Sequence, residues 1–281
     1  MAVSYRTATS SWLEPLRRAL DTAPTPVRFF FRDDDIGWDD DRLLELLDMF
    51  ARHAVPIDLA ATPAAVSIDL ARTLRARIEL APALVAVHQH GFAHVNHQPE
   101  GRKCEFGPSR SATAQRYDID RGRRRLADVF GPIVQPIFTP PWNRCTEVTA
   151  ECLRELGFAI LSRDATAPAL ESPGLAELPI RIDWAAHRRG VRLEHPELVQ
   201  LLIRAIRIPG PVGLMFHHAV IDPVERIFAS ELLGVLASHP HVQCLPMMVL
   251  ADEAATAAMA GAHDVGSGRD TARGAAKESE S

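Results

Sequence analysis

Histidine and aspartate, the residues that most often bind metals and move protons, are concentrated at two places in the chain. Four histidines fall within ten residues, namely His88, His90, His94 and His97. Three aspartates are consecutive, namely Asp33, Asp34 and Asp35. His90 and His94 are spaced i, i+4, so on a helical turn both imidazoles would face the same way and could share one metal ion. Two histidines and one aspartate can hold Zn²⁺ and leave a position for water, and Fe(II) is the alternative metal.

The aspartate triplet allows two readings. Adjacent carboxylates repel one another unless a cation holds them, and a metal ion would do so. A solvated loop or a helix N-cap would also accommodate them, since Asp39 and Asp40 follow closely.

Other polar residues also follow apolar runs. Such runs alternate with helical patterns, which predicts an α/β fold in the form of a (β/α) barrel. The eight strand candidates are Val27–Arg32, Val55–Ala61, Leu84–His88, Gln135–Thr139, Phe158–Ser162, Leu178–Asp183, Val212–His217 and Val242–Leu245. Because parallel strands of a barrel end on one face, the polar residues at their ends should converge in one pocket. His217 and His218 are neighbours on a strand, so only one of them can point into that pocket.

The composition excludes several classes of protein. Lys and Arg number 31 and Asp and Glu 36, giving a net charge of −5, which argues against a protein that binds nucleic acid through phosphate contacts. No apolar run approaches the ~20 residues of a membrane helix, and Met1–Pro26 lacks the apolar segment of a signal peptide. The four cysteines form no CxxC pair, so we expect a reduced, cytoplasmic protein.

Three regions are predicted along the chain. Residues 1–26 form an N-terminal helical extension, residues 27–254 form the barrel, and residues 255–281 form a disordered tail. The polar segment Gln98–Arg116 is predicted to be a long loop over the barrel mouth.

Five motifs, in order between Val27 and Cys244, resemble those of the polysaccharide deacetylase family, which contains the NodB-homology domain and carbohydrate esterase family 4. They are Asp33-Asp34-Asp35 after an apolar strand, His90-Gly91-Phe92-Ala93-His94, Phe138-Thr139-Pro140-Pro141-Trp142, Asp183-Trp184, and Met215-Phe216-His217. The resemblance implies a distorted barrel of seven or eight parallel strands. It also implies a metal-dependent deacetylase that hydrolyses an N-acetyl group on a carbohydrate or related substrate.

The resemblance implies a role for each matching residue. Asp34 is expected to be the catalytic base and Asp35 a metal ligand, because Ile36 and Gly37 then begin the turn; Asp33 and Asp34 are the alternative pair. His90 and His94 would complete the metal site, with Zn²⁺ as the expected ion. His217 would be the general acid and Asp183 would orient it. The expected substrate contacts are Phe138, Trp142, Asn143, Arg144, Trp184 and Met215.

The sequence departs from the family pattern in the third motif, where Thr139 replaces an arginine that braces the base. Arg32, on the same strand face as Asp34, and Arg144 are the candidate replacements. Two other functions remain open: a metal-dependent C–N hydrolase for a small amide, and a catalytically degenerate barrel that binds carbohydrate or a protein partner. An iron(II) oxygenase is disfavoured, because such metal sites usually occur on β-rich folds.

Overall fold

The computed structural model describes residues 11–170, 172–254 and 256, in which strands and helices alternate. The strands are β1 Val27–Ile36, β2 Ile57–Ala61, β3 Val85–His90, β4 Val134–Thr139, β5 Ile160–Leu161, β6 Ala176–Glu177, β7 Ile180–Asp183, β8 His187–Arg188, β9 Val191–Arg192, β10 Val212–Phe216 and β11 Val242–Cys244. The α-helices are α1 Glu14–Asp21, α2 Asp40–Arg52, α3 Ile68–Leu80, α4 Ala112–Phe130, α5 Glu147–Glu155, α6 His195–Ala205 and α7 Pro223–Ser238.

The main sheet is parallel and curls into a distorted barrel. Its strand order is β6-β5-β4-β3-β2-β1-β10-β7, with β11 pairing beside the start of β1. Only Leu178 and Pro179 separate β6 from β7, so the two ends of this order follow each other along the chain. The predicted distorted (β/α) barrel is confirmed, and the eight predicted strands correspond to β1–β5, β7, β10 and β11 with shifted ends.

The barrel separates two apolar layers. On β1, Phe29 and Phe31 pack outward into the large cluster formed with the helices, whereas Phe30 packs with Ile137 and Met247 in a separate cluster. This alternation follows from the two-residue period of a strand. It leaves Arg32 and Asp34, the next residues on the side of Phe30, to face the polar upper interior.

The N-terminal segment is packed into the same core as the barrel. Leu13, Leu16 and Leu20 are fully buried, and the Trp12 ring contacts His195 and Phe228. The predicted tail, residues 255–281, lies outside the described residues apart from Thr256. Among the described helices, none combines the length and the apolar character that a membrane crossing requires.

The loop between β3 and α4 covers the carboxyl ends of the strands, and it ends earlier along the chain than predicted. Helix α4 begins at Ala112, four residues before the predicted end of the loop at Arg116, because the Ser111 side chain accepts a hydrogen bond from Ala114 N and caps the helix. The polar first turns of α4 concealed this start in the sequence.

Candidate active site

Three side chains converge at the carboxyl ends of β1 and β3. Asp35 Oδ1 lies 3.2 Å from His90 Nε2 and 3.2 Å from His94 Nε2, and one ligand atom from each residue fits within a 4.8 Å span. Asp35 Oδ1 and His90 Nε2 are buried, yet neither makes a hydrogen bond within the described chain. Buried polar atoms normally have partners, so these atoms fit the donor set of a metal ion.

The backbone of β4 fixes the orientation of the His90 ring. The carbonyl of Thr139 lies 3.1 Å from His90 Nδ1, and a carbonyl can only accept, so Nδ1 carries the proton. In the neutral ring, Nε2 then has a free lone pair directed at Asp35. Metal-binding histidines are commonly held in this way by a second hydrogen bond.

The end of β1 is irregular, and the irregularity separates the roles of adjacent aspartates. Asp35 has a left-handed backbone with φ +67°, and the pairing of β1 with β2 shifts between Asp33 and Ile36. A regular strand would send Asp34 and Asp35 to opposite faces. Here both carboxylates lie close enough to His90 to raise its pKa, although burial acts to lower it.

Arg32 braces the carboxylate of Asp34. Both residues are buried, and the guanidinium donates two hydrogen bonds to the carboxylate, Nε to Oδ1 at 2.7 Å and Nη2 to Oδ2 at 2.9 Å. Arg32 also donates to Ser162 and to Asn143 Oδ1. Burial acts to raise the pKa of Asp34, but Arg32 and the nearby histidines hold it below its usual value, so the carboxylate is ionised at neutral pH.

Asp33 belongs to a different interaction. Its Oδ2 lies 2.7 Å from Nδ1 of His218, its Oδ1 accepts the backbone N–H of His218, and His218 Nε2 lies 2.6 Å from the Trp38 carbonyl. Burial acts to lower the pKa of His218, but Asp33 raises it to about 9. Asp33 and His218 therefore form a buried ion pair that joins the ends of β1 and β10, away from the Asp35 group.

His217 and Asp183 lie within electrostatic range of Asp34. His217 follows β10 and is partly exposed, and its charge acts to lower the pKa of Asp34, Asp35 and Asp183. Burial dominates at Asp183 and raises the pKa of that carboxyl. The two histidines after β10 thus differ as the sequence predicted, with one buried in an ion pair and the other near the aspartates.

A cavity of about 580 Å³ lies beside the group formed by Asp35, His90 and His94. Trp142 connects the two, since its ring lies 4.3 Å from that of His94 and its side chain also lines the cavity. Of the other predicted site residues, Asn143, Arg144, Asp183 and Met215 line it as well. Its outer wall comes from the loop before α4 and from the segment 163–168. The volume is typical of a site for a small molecule.

Two predicted substrate contacts, Phe138 and Trp184, do not line this cavity. Phe138 is fully buried against Phe106 and Phe158, because Thr139 faces the barrel interior and the strand period turns Phe138 outward. Trp184 is buried against Phe216 and donates its Nε1–H to Glu225. The predicted helical turn is absent too: His90 ends β3, and His94 stands in an irregular segment with φ +56°.

The sequence analysis missed two residues that contact this group. The Trp38 ring meets that of His94 edge-on at 6.0 Å, and Glu105 accepts hydrogen bonds from the backbone between His90 and His94. Neither belongs to a motif. Gly91 was the available signal for a close approach, because its φ of +53° and the absence of a side chain leave room for Glu105.

No protein-family model matches the sequence, and no curated protein sequence matches it. Solved structures do match. A protein from Mycobacterium smegmatis described as a polysaccharide deacetylase aligns with a TM-score of 0.62 at 17% identity, over 83% of this chain and 94% of its own. The chain has the polysaccharide deacetylase fold.

Other structures with this fold differ in activity. A family 4 acetyl xylan esterase from Clostridium thermocellum, solved with a cobalt ion, aligns with a TM-score of 0.54 at 11% identity, over 80% of this chain and 89% of its own. A carbohydrate esterase family 4 pseudoenzyme from Bacillus anthracis aligns with a TM-score of 0.51 at 14% identity, over 82% of this chain and 67% of its own. The fold is therefore shared by active and inactive proteins, and the residues of the site, not the fold, bear on catalysis.

Proposed function

We propose that the protein is a metal-dependent deacetylase that hydrolyses the N-acetyl group of a carbohydrate or a related small substrate. One observation carries the proposal: the ligand atoms of Asp35, His90 and His94 converge beside Asp34, a buried and ionised carboxylate. Three protein ligands suit a catalytic metal site, because a further position is left for water. The cobalt ion in the acetyl xylan esterase of the same fold supports a divalent cation, and Zn²⁺ is the ion we propose.

A divalent cation held there would supply a Lewis acid that lowers the pKa of a bound water and polarises the amide carbonyl. Asp34 would accept the proton of the attacking water. His217 would donate a proton to the departing amine, and Asp183, which lies within electrostatic range of the His217 side chain, would orient the imidazole. The amide C–N bond breaks, and acetate and a free amine are the products.

The cavity supports a small substrate. Arg144 makes one side-chain hydrogen bond to the described residues, from Nη1 to the Lys103 carbonyl, so its other donors are available to a ligand. We propose that Trp142, Asn143, Arg144 and Met215 contact the sugar, and that one or two sugar units occupy the cavity. A small amide would fit the same space and is the second candidate.

The test is acetate release by the purified, metal-loaded protein from N-acetylated monosaccharides, oligosaccharides and small amides. Release from the sugars that is lost on chelation and restored by Zn²⁺ or Co²⁺ supports the proposal. Turnover of the amides alone favours the second candidate. A protein that binds the metal and sugars yet releases no acetate is a non-catalytic member of the fold, which would refute the enzymatic function.

A further inference from the structure

Glu105 is a fully buried carboxylate outside the proposed ligand set. Its Oε1 accepts the N–H of Ala93 at 2.8 Å, and its Oε2 accepts the N–H of Phe92 at 3.2 Å. Phe92 and Ala93 are two of the three residues that connect His90 to His94. A single side chain thus holds the backbone that joins two of the converging imidazoles.

The backbone between His90 and His94 is closely packed by Glu105 and by Pro141. A Cβ atom at Gly91 would lie 2.2 Å from Glu105 Oε2 and 2.5 Å from Pro141, so only glycine allows this approach. Glu105 itself is fixed from the loop, since Phe106 pairs with Cys145 and the Glu105 carbonyl accepts a hydrogen bond from Arg110. The His90–His94 connection therefore rests against an anchored side chain.

The hydrogen bonds at this position favour a glutamate over a glutamine. Among the described residues, the Glu105 carboxylate is held by the two backbone N–H groups of Phe92 and Ala93. A carboxylate presents two acceptor oxygens, whereas a glutamine would direct its NH₂ group at one of the two N–H donors.

We infer that Glu105 is a positioning residue for the metal centre, which fixes the backbone between His90 and His94 and so sets the separation of their Nε2 atoms. The inference rests on the proposed function only for the metal centre and not for the deacetylation. Partners that orient metal ligands typically contribute 10- to 100-fold to metal affinity, so we expect about that loss when Glu105 is replaced.

The test is titration of the metal-free protein with Co²⁺, followed by calorimetry and by the visible absorption of the bound ion. Glu105→Ala and the similarly shaped Glu105→Gln should bind Co²⁺ about 10- to 100-fold more weakly than the wild type and with an altered absorption spectrum. Asp222→Ala is the matched control, because Asp222 also accepts two backbone N–H groups but caps α7. It should reduce stability without changing Co²⁺ affinity.

Glu105→Gln keeps the test decisive if Glu105→Ala fails to fold. A folded Glu105→Gln variant with the affinity and spectrum of the wild type would overturn the inference while leaving the metal centre in place. A wild-type protein that binds no Co²⁺ would refute the metal centre and the inference together. Weakened binding by the variants supports the inference whether or not the wild type releases acetate.

Discussion

At the residue scale, the cation that braces the buried Asp34 carboxylate comes from the same strand as Asp34 itself. The third motif offers Thr139, whose hydroxyl lies 2.9 Å from His88 Nε2 and whose carbonyl holds His90. Arg32, two residues before Asp34 on the same strand, supplies the guanidinium instead. The brace and the carboxylate are thus part of one backbone segment, and the loop after β4 is free to contribute to the cavity.

Replacing Arg32 should destabilise the protein strongly, because Arg32 forms a buried ion pair with Asp34. Arg32→Met leaves the carboxylate of Asp34 buried without a cation, so we expect the free energy of unfolding to fall by about 3–5 kcal/mol. Urea denaturation of the metal-free protein measures this change. In an Asp34→Asn background, the same replacement should cost clearly less, because no buried charge is left behind. Equal costs in the two backgrounds would contradict the proposed pairing.

Replacing Asp34 should reduce catalysis without reducing metal binding. Asp34→Asn keeps the size of the side chain and lies outside the converging ligand group, so metal content should be unchanged. Loss of a general base typically lowers kcat by about 10²–10⁴, and acetate release should fall by that amount. Metal analysis and single-substrate kinetics check both expectations. An unchanged rate would assign the base to another residue.

Sequence reasoning at this scale worked where chemistry alone identifies a residue. Three aspartates and four nearby histidines were sufficient to point to the group that the structure brings together. It failed where orientation decides. The alternation of β4 buries Phe138, and the left-handed backbone of Asp35 and His94 is a conformation that Asp and His adopt more often than most residues but that residue type alone does not locate. Glu105 was missed for the same reason, because its partners are backbone N–H groups.

At the scale of elements, the amino end of the barrel is closed by a helical segment that begins at Met247. The Met247 N–H donates to Asp58 Oδ2 at 3.1 Å, and this carboxyl is 1% exposed. Burial raises the pKa of Asp58 to about 7, which outweighs the opposing effects of this hydrogen bond and of Arg32. The protonation of Asp58 therefore bears on how the helical segment that begins at Met247 is held against β2.

Asp58 predicts a pH dependence of stability. The folded pKa of about 7 lies above the unfolded value of about 3.9, so the native state binds the proton more tightly and stability declines as the pH rises through that interval. Asp58→Asn removes this effect. Relative to the wild type, its free energy of unfolding should gain up to about 4 kcal/mol between pH 4 and pH 8. Urea denaturation across this range is the measurement, and parallel pH profiles would contradict the assignment.

The predicted elements agree with the structure where the apolar runs are continuous. Strands β1 to β4 and β10 each contain most of their predicted residues, because a strand covered on both faces is apolar throughout. The run Leu178–Asp183 instead forms a strand only from Ile180 onward, since Pro179 lacks the N–H that a continuous ladder would need. Helix α4 begins within the predicted loop. Its first turns are polar, so the apolar pattern did not reveal where the helix begins.

At the scale of the whole molecule, a metal ion that binds only the folded state should stabilise the protein. At a free concentration of 100 times its Kd, Zn²⁺ would add about 2.7 kcal/mol, which is expected to raise Tm by several degrees. His94→Ala should abolish the shift. His97→Ala is the matched control, since His97 is exposed and lies outside the converging group. A shift that survives in His94→Ala would refute the ligand assignment.

Strand β1 has a consequence for how this chain tolerates change. Four successive residues near its end, 32 to 35, serve three separate tasks: Arg32 braces Asp34, Asp33 pairs with His218, and Asp35 faces the two imidazoles. Inserting or deleting one residue there would reassign every task at once. Exchanges of residue type can be compensated one at a time, but the length of this segment is fixed, and natural variation in length should be confined to the surrounding loops.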